Sequence, residues 1–249
     1  MSMTPDTDNL IDRIRRGRTD SVVELLQCAD WTVALEKGAV NALQWFVYYG
    51  DVTALKMALR AGSTLDSLDL GAELGNAAFF GHWKMCDFLL GQGADVNYQQ
   101  ADTGETALHS ALAKAGRPYY AYVVRRLLEA GARVNAATIP GVETGAFMRD
   151  VRTTGETPLH RAAAFADETT IDLLLDHGAD KHARDSRGDS PLTWASVHLR
   201  TGAILEKLAF GEHTIGPNAK ARITSDHGAG WGNGMERNLL GDYLPESSD

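Results

Sequence analysis

The 249-residue sequence has no apolar stretch approaching the roughly 20 residues a membrane-spanning helix needs. Its start, Met1 to Asn9, is polar and acidic where a secretory leader is basic and then apolar. Both absences lead us to expect a cytoplasmic protein. Cysteine is scarce: Cys28 and Cys86 lie far apart, in no CxxC pair and no cluster of metal ligands, and read as reduced structural thiols. Positive charge is in deficit, with 24 Lys and Arg against 33 Asp and Glu and a net charge of -9. Binding to phosphate backbones is driven by cationic side chains, so this balance argues against nucleic acid and favours a protein partner with a basic surface. Also missing are a G-x-S-x-G turn, a P-loop and any Cys–His pairing of catalytic spacing, so we expect neither a cofactor nor a catalytic site. What the chain does have is 44% hydrophobic residues, ample for a folded core.

Those apolar residues recur with a long period. Thr154, Gly155, Glu156, Thr157, Pro158, Leu159, His160, Arg161, Ala162 and Ala163 lead on to Leu174, Leu175, Asp176, His177, Gly178, Ala179 and Asp180. Gly188, Asp189, Ser190, Pro191 and Leu192 begin a second copy, and Gly211 answers Gly178, each landmark shifted by 33. An earlier copy runs from Gly104, Glu105, Thr106, Ala107, Leu108 and His109 to Leu127, Leu128, Gly131 and Ala132. The pattern resembles the ankyrin repeat, in which Thr-Pro-Leu-His opens a first helix and Leu-Leu-x-x-Gly-Ala closes a second. Weaker units extend it towards the N-terminus. One holds Leu74, Gly81, Leu89 and Gly93, with Ala72, Glu73, Leu74 and Gly75 in place of Thr-Pro-Leu-His; another holds Leu43, Gly50, Leu59 and Gly62; a further one holds Leu10, Ile14, Gly17 and Leu25.

The resemblance implies an all-α solenoid of six helix-turn-helix units with short β-hairpin fingers. The units begin near Met3, Glu36, Ser67, Ala101, Arg152 and Asp185, the array spans 3–211, and a non-repeat tail spans 212–249. One unit cannot bury Ala162, Ala163, Ile171, Leu174 and Leu175 alone, so neighbours must stack on it. Thr157 is placed to cap a helix with Pro158 in its first turn, and Gly178 to end the next one. The resemblance also implies that His109 and His160 hydrogen-bond turn backbone between adjacent units. His177 and His182 flank a loop without the spacing of metal ligands.

Ala132 to Gly155 is 23 positions where Ala179 to Gly188 is 9, so one finger carries about 14 extra residues, around 139–152. Phe147, Arg149 and Arg152 on it suit the clasping of a partner, unless the segment is a tolerated surface insertion. A shorter insertion falls near Arg117, Pro118, Tyr119 and Tyr120. In the tail, Trp231, Leu239, Leu240, Tyr243 and Leu244 carry enough apolar surface to fold back on the last unit, with glycines 228, 230, 232 and 234 as a hinge.

By the same resemblance, hairpin tips and the ends of first helices face a concave groove. Those positions hold Tyr48 and Tyr49 with Trp45 one turn before, then Phe79 and Phe80, then Phe165, then His198. Exposed aromatics gathered in a groove are what interfaces use as anchors, and the competing reading is that one ring of each pair packs between units. The fingers supply Asp69, Asp102, Glu105, Glu156, Arg187 and Asp189, read as a mostly acidic rim. We therefore expect a monomeric interaction module of adaptor, inhibitor or immunity type. The alternative is a small-molecule or enzymatic site where finger, groove and tail meet, with Arg149, Arg152, Arg161, His198 and His227 as its polar groups.

Overall fold

The structure, a computed structural model, describes residues 6–36, 40–113, 119–144 and 152–210. Phe147 and Arg149 of the insertion, and the tail with His227, Trp231 and its leucines, lie outside the described residues. The described chain folds as α1 (Thr7–Arg15), α2 (Val22–Leu25), α3 (Trp31–Glu36), α4 (Ala42–Tyr48), α5 (Val52–Arg60), α6 (Leu70–Phe80), α7 (Trp83–Gly91), α8 (Ala107–Ala111), α9 (Tyr120–Glu129), α10 (Pro158–Phe165), α11 (Glu168–Asp176), α12 (Pro191–Val197) and α13 (Gly202–Leu208). It is an all-α repeat array. Helices pair as α1 with α2, α4 with α5, and so on to α12 with α13, while α3 packs between α1 and α4. Glu36, where the sequence frame opens a unit, is the last residue of α3.

Each first helix starts on a side-chain cap. Asn41 Oδ1 accepts the Gln44 N–H at 2.9 Å while Gln44 Oε1 accepts the Asn41 N–H, a reciprocal box that satisfies two otherwise orphaned donors. Thr106 and His109 form the same box, as do Ser190 and Thr193. In α10 the box joins Thr157 and His160, with Pro158 at the start where its missing N–H costs nothing. Gly178 ends α11 at φ 84°, a left-handed turn that a Cβ would strain. In place of strands, the fingers among the described residues use Asx turns, such as Asp95 Oδ1 accepting from Asn97 N–H and Asp180 Oδ1 from His182 N–H. A lone antiparallel bridge, Glu143 to Arg152, closes the base of the insertion.

Stacking follows from the apolar faces. Phe46, Leu55, Leu74, Leu89, Leu108, Leu127, Leu159 and Leu174 are fully enclosed, each side chain contributing roughly 1.5–3 kcal/mol on burial. Polar bridges set the register between units. Tyr49 Oη donates to Arg15 O at 2.7 Å, His82 Nε2 to Tyr48 O at 3.0 Å, and Tyr120 Oη to Phe79 O, so each unit's side chain holds the carbonyl at the end of the previous unit's first helix. At the far edge Asn97 and Asn135 each span to the next loop, donating to Gly131 O and Gly178 O. The polar ends pair off: Arg13 meets Glu24 at 3.0 Å, and Lys207 reaches back to Asp172 at 2.9 Å.

Candidate partner-binding groove

Two of the expected rim carboxylates are core residues. Glu105 and Glu156 precede the capping threonines, and both side chains turn inward onto Arg161, which α10 projects into the seam between α8 and α10. Those two helices touch far less than α6 and α8 or α10 and α12, and the polar cluster lies in the seam between them. Arg161 Nη2 lies 2.7 Å from Glu105 Oε1 and 2.6 Å from Glu156 Oε1, and Nη1 donates to His109 O at 3.0 Å. Glu156 Oε2 accepts from Thr154 N–H at 2.7 Å and Thr138 Oγ1 at 2.8 Å. Burial alone would raise the Glu156 carboxyl, but the Arg161 charge and the Thr154 N–H outweigh it and pull it to about 2. His109 is held down to about 3, first by burial and then by Arg161. Its Nδ1 accepts the Thr106 N–H, so Nε2 carries the proton and donates to Glu156 O at 3.2 Å. His160 repeats this onto Asp189 O at 3.0 Å.

The aromatic positions do come together. Trp45 and Tyr48 from α4 meet edge-to-face at 5.5 Å, Tyr48 meets Phe80 of α6 at 4.7 Å, and Phe79 meets Phe80 at 5.1 Å. The rings differ in role. Tyr48 keeps 44% of its surface exposed, whereas Tyr49, 37% exposed, is tied down by its hydroxyl and lies over Gly17. Phe79 and Phe80 are half-buried. Trp45, Tyr48, Phe79 and Phe80 form one wall of a cavity of about 570 Å³ whose polar side is Gln44, Glu73, Asn76, Gln100 and Ser110. It opens along the row of first helices, beside the loop that carries Gln100.

Towards the C-terminus the same row closes on itself. Phe165 is half-buried and His198 buried, their rings 5.1 Å apart, and Arg200 donates to Ala163 O and Ala166 O at the end of α10. His198 is therefore enclosed instead of presented to a partner, its imidazole pushed down to about 4 by burial and then by Arg200. Arg187 is exposed on its finger; Asp189 is half-buried, with its N–H on Asp185 Oδ1. Arg152 stands exposed at the insertion's base and donates to Gly141 O. Of the polar groups expected for a small-molecule site, Arg161 and His198 are enclosed in separate clusters and neither lines the cavity. Among the described residues no group of three His, Cys, Asp or Glu side chains is placed to hold a metal ion, and no helix is long and apolar enough to cross a membrane.

Comparison with known proteins agrees with this geometry. Residues 103–139 and 154–186 match the family Ankyrin repeat, and residues 76–118 match Ankyrin repeats (many copies). The chain is an ankyrin-repeat protein. It is 34% identical over 181 residues to human Neurogenic locus notch homolog protein 2, covering 64% of this chain and 7% of that one. Human Rabankyrin-5 is 33% identical over 104 residues, 42% of this chain and 8% of its own, and the E3 ubiquitin-protein ligase KEG of Arabidopsis thaliana 35% over 107, with 43% and 6%. The chain thus spans less than a tenth of the length of these relatives. Ankyrin repeats indicate protein partners.

Within this ankyrin-repeat array two features escape the sequence frame. Glu73 of α6 is a buried carboxylate on the cavity wall, signalled only by an acid in the place of the Thr-Pro-Leu-His proline. Trp83, Tyr119 and Tyr122 are exposed on the opposite row, with the Trp83 and Tyr122 rings 6.5 Å apart. Tyr120, assigned by sequence to the short insertion, is instead the buried first residue of α9.

Proposed function

We propose that this ankyrin-repeat protein binds a protein partner with a basic surface along its first-helix groove, and that the N-terminal aromatic cluster is the anchoring site. The observation that carries this reading is Tyr48, held by rings on both sides yet 44% exposed at the lip of an aromatic-walled cavity. Desolvated aromatic anchors of this kind dominate interface energetics. The net charge of -9 favours a basic partner and speeds encounter more than it deepens affinity. In this reading the protein works as a monomeric adaptor or inhibitor in a reducing, cytoplasmic setting, to which Cys28 and Cys86, not joined in a disulfide, are suited. Arg187 and Arg152, both exposed, extend the contact along the fingers.

The test is affinity capture from the native lysate with wild-type protein, Tyr48→Ala and Tyr122→Ala in parallel. Tyr122 is 60% exposed on α9, in the other helix row. A partner held by wild type and by Tyr122→Ala but lost by Tyr48→Ala supports the groove. A partner lost only by Tyr122→Ala moves the interface to the second-helix face and overturns the assignment.

A further inference from the structure

The third unit departs from the repeat pattern at two adjacent places, and both departures open onto the same cavity. Where the following units carry His109 and His160, it carries Gly75, which lines the cavity. The nearest atom to a Cβ built there is Ser110 Oγ at 3.8 Å, and the backbone is not left-handed, so the absent side chain serves space and not conformation. Where Pro158 stands in a later unit, this one has Glu73, 5% exposed and on the cavity wall.

Glu73 is bonded by neutral groups. Gln44 Nε2 donates to Oε1 at 3.1 Å and Asn76 Nδ2 to Oε2 at 3.2 Å. Among the described residues no cationic side chain reaches it, whereas the similarly buried Glu105 and Glu156 share Arg161. A carboxylate offers about four acceptor sites, so each oxygen retains an open one after its amide bond. A buried carboxylate without a counter-charge is costly to keep, and a ligand that brings the charge recovers that cost on binding. Trp45, Tyr48, Phe79 and Phe80 face the same space, and aromatic faces attract cations by their quadrupoles.

We propose that this cavity receives one arginine side chain of the partner protein, its guanidinium forked across the two Glu73 oxygens and stacked against the aromatic wall. The assignment rests on the groove reading above and names what the groove recognises. Two open acceptor sites on separate oxygens suit a planar fork of donors better than the point charge of lysine. A volume of about 570 Å³ holds such a side chain together with part of its backbone.

The experiment titrates 15N-labelled full-length protein with Nα-acetyl-arginine methylamide and follows the Trp45 indole N–H, assigned with Trp45→Phe. The corresponding blocked lysine and the blocked neutral isostere citrulline are run beside it. Saturable shifts are expected with blocked arginine, weaker ones with lysine and none with citrulline. Glu73→Gln, which keeps an amide acceptor, is expected to weaken the arginine response by roughly tenfold or more. Gly75→His, which leaves the carboxylate but fills the space, is expected to abolish it. Citrulline binding as well as arginine, or an unchanged response in either variant, overturns the proposal, and lysine equal to arginine overturns the fork. If blocked arginine does not bind while Tyr48→Ala still loses the captured partner, this assignment fails and the groove reading stands; the reverse pattern separates them the other way.

Discussion

Arg161 Nη2 lies 2.6 Å from Glu156 Oε1 with both side chains fully enclosed, and the same nitrogen lies 2.7 Å from Glu105 Oε1 in the preceding unit. One cation therefore holds two carboxylates across the seam between α8 and α10. Removing it strands both. Arg161→Met is expected to cost about 3–5 kcal/mol in urea unfolding, because uncompensated charges remain buried. Since repeat arrays hold together through nearest-neighbour interfaces, the variant is also expected to unfold in two steps, splitting between α8–α9 and α10–α11. Glu105→Gln leaves one carboxylate matched to Arg161 and is expected to cost clearly less. Equal costs for the two variants would show that Arg161 is held by packing and not by charge.

Acid should loosen the array before the carboxylates protonate. His109 is lowered from 6.5 to about 3, His198 to about 4, and His160 in the same direction, in every case chiefly by burial. As the pH drops below 6.5 the unfolded chain takes up protons on these rings and the folded chain does not. Their stabilisation is complete above that pH and is lost progressively below it. Between pH 7.5 and 5 we expect His109 and His198 each to remove about 2 kcal/mol, with Glu156 adding to the loss only as the pH falls from 4.5 towards 2. Urea titrations at the two pH values check this. His198→Phe, which keeps ring volume without a titrating nitrogen, is expected to reduce the difference.

The two thiols are expected to react differently. Burial, then the neighbouring Asp87, pushes the Cys86 thiol up to about 12, and the side chain is enclosed between α6 and α9 on α7. Cys28 is half-buried. A disulfide-exchange reagent is expected to modify Cys28 alone in the native protein and both residues in denaturant, since the thiolate is the reacting form. Rapid native labelling at Cys86 would indicate that the third unit opens locally.

The repeat frame was legible because its landmarks are local: Thr157, Pro158 and His160 act within one turn, and Gly178 ends a helix by its own backbone angle. Inter-unit contacts were less so. Glu105 and Glu156 occupy finger positions that look solvated in one dimension, and only Arg161, a charge among Leu159, Ala162 and Ala163, hinted that an enclosed counter-charge was needed. Helix α3 was missed although Leu35, Gly38 and Ala39 repeat the Leu-x-x-Gly-Ala ending, because the 33-residue spacing from Gly17 to Gly50 set the unit boundary inside it, at Glu36. The aromatic cluster was placed from Tyr48, Phe79 and Phe80. That Tyr49 spends its hydroxyl on Arg15 O, and that His198 turns inward against Phe165, depends on the neighbouring unit and is written in no local motif.

The most direct measurement is the dissociation constant of the captured partner for wild type and Tyr48→Ala, taken with the unfolding free energy of each and with Phe46→Ala as a buried reference. Phe46, two residues away on the opposite face of α4, is fully enclosed and is expected to lose roughly 3–5 kcal/mol of stability. For Tyr48→Ala the account predicts a loss of about 2 kcal/mol in binding, some thirtyfold in Kd, with less than about 1 kcal/mol lost in folding. Unchanged affinity, or a folding loss as large as that of Phe46→Ala, would contradict it and make the aromatic cluster packing between units.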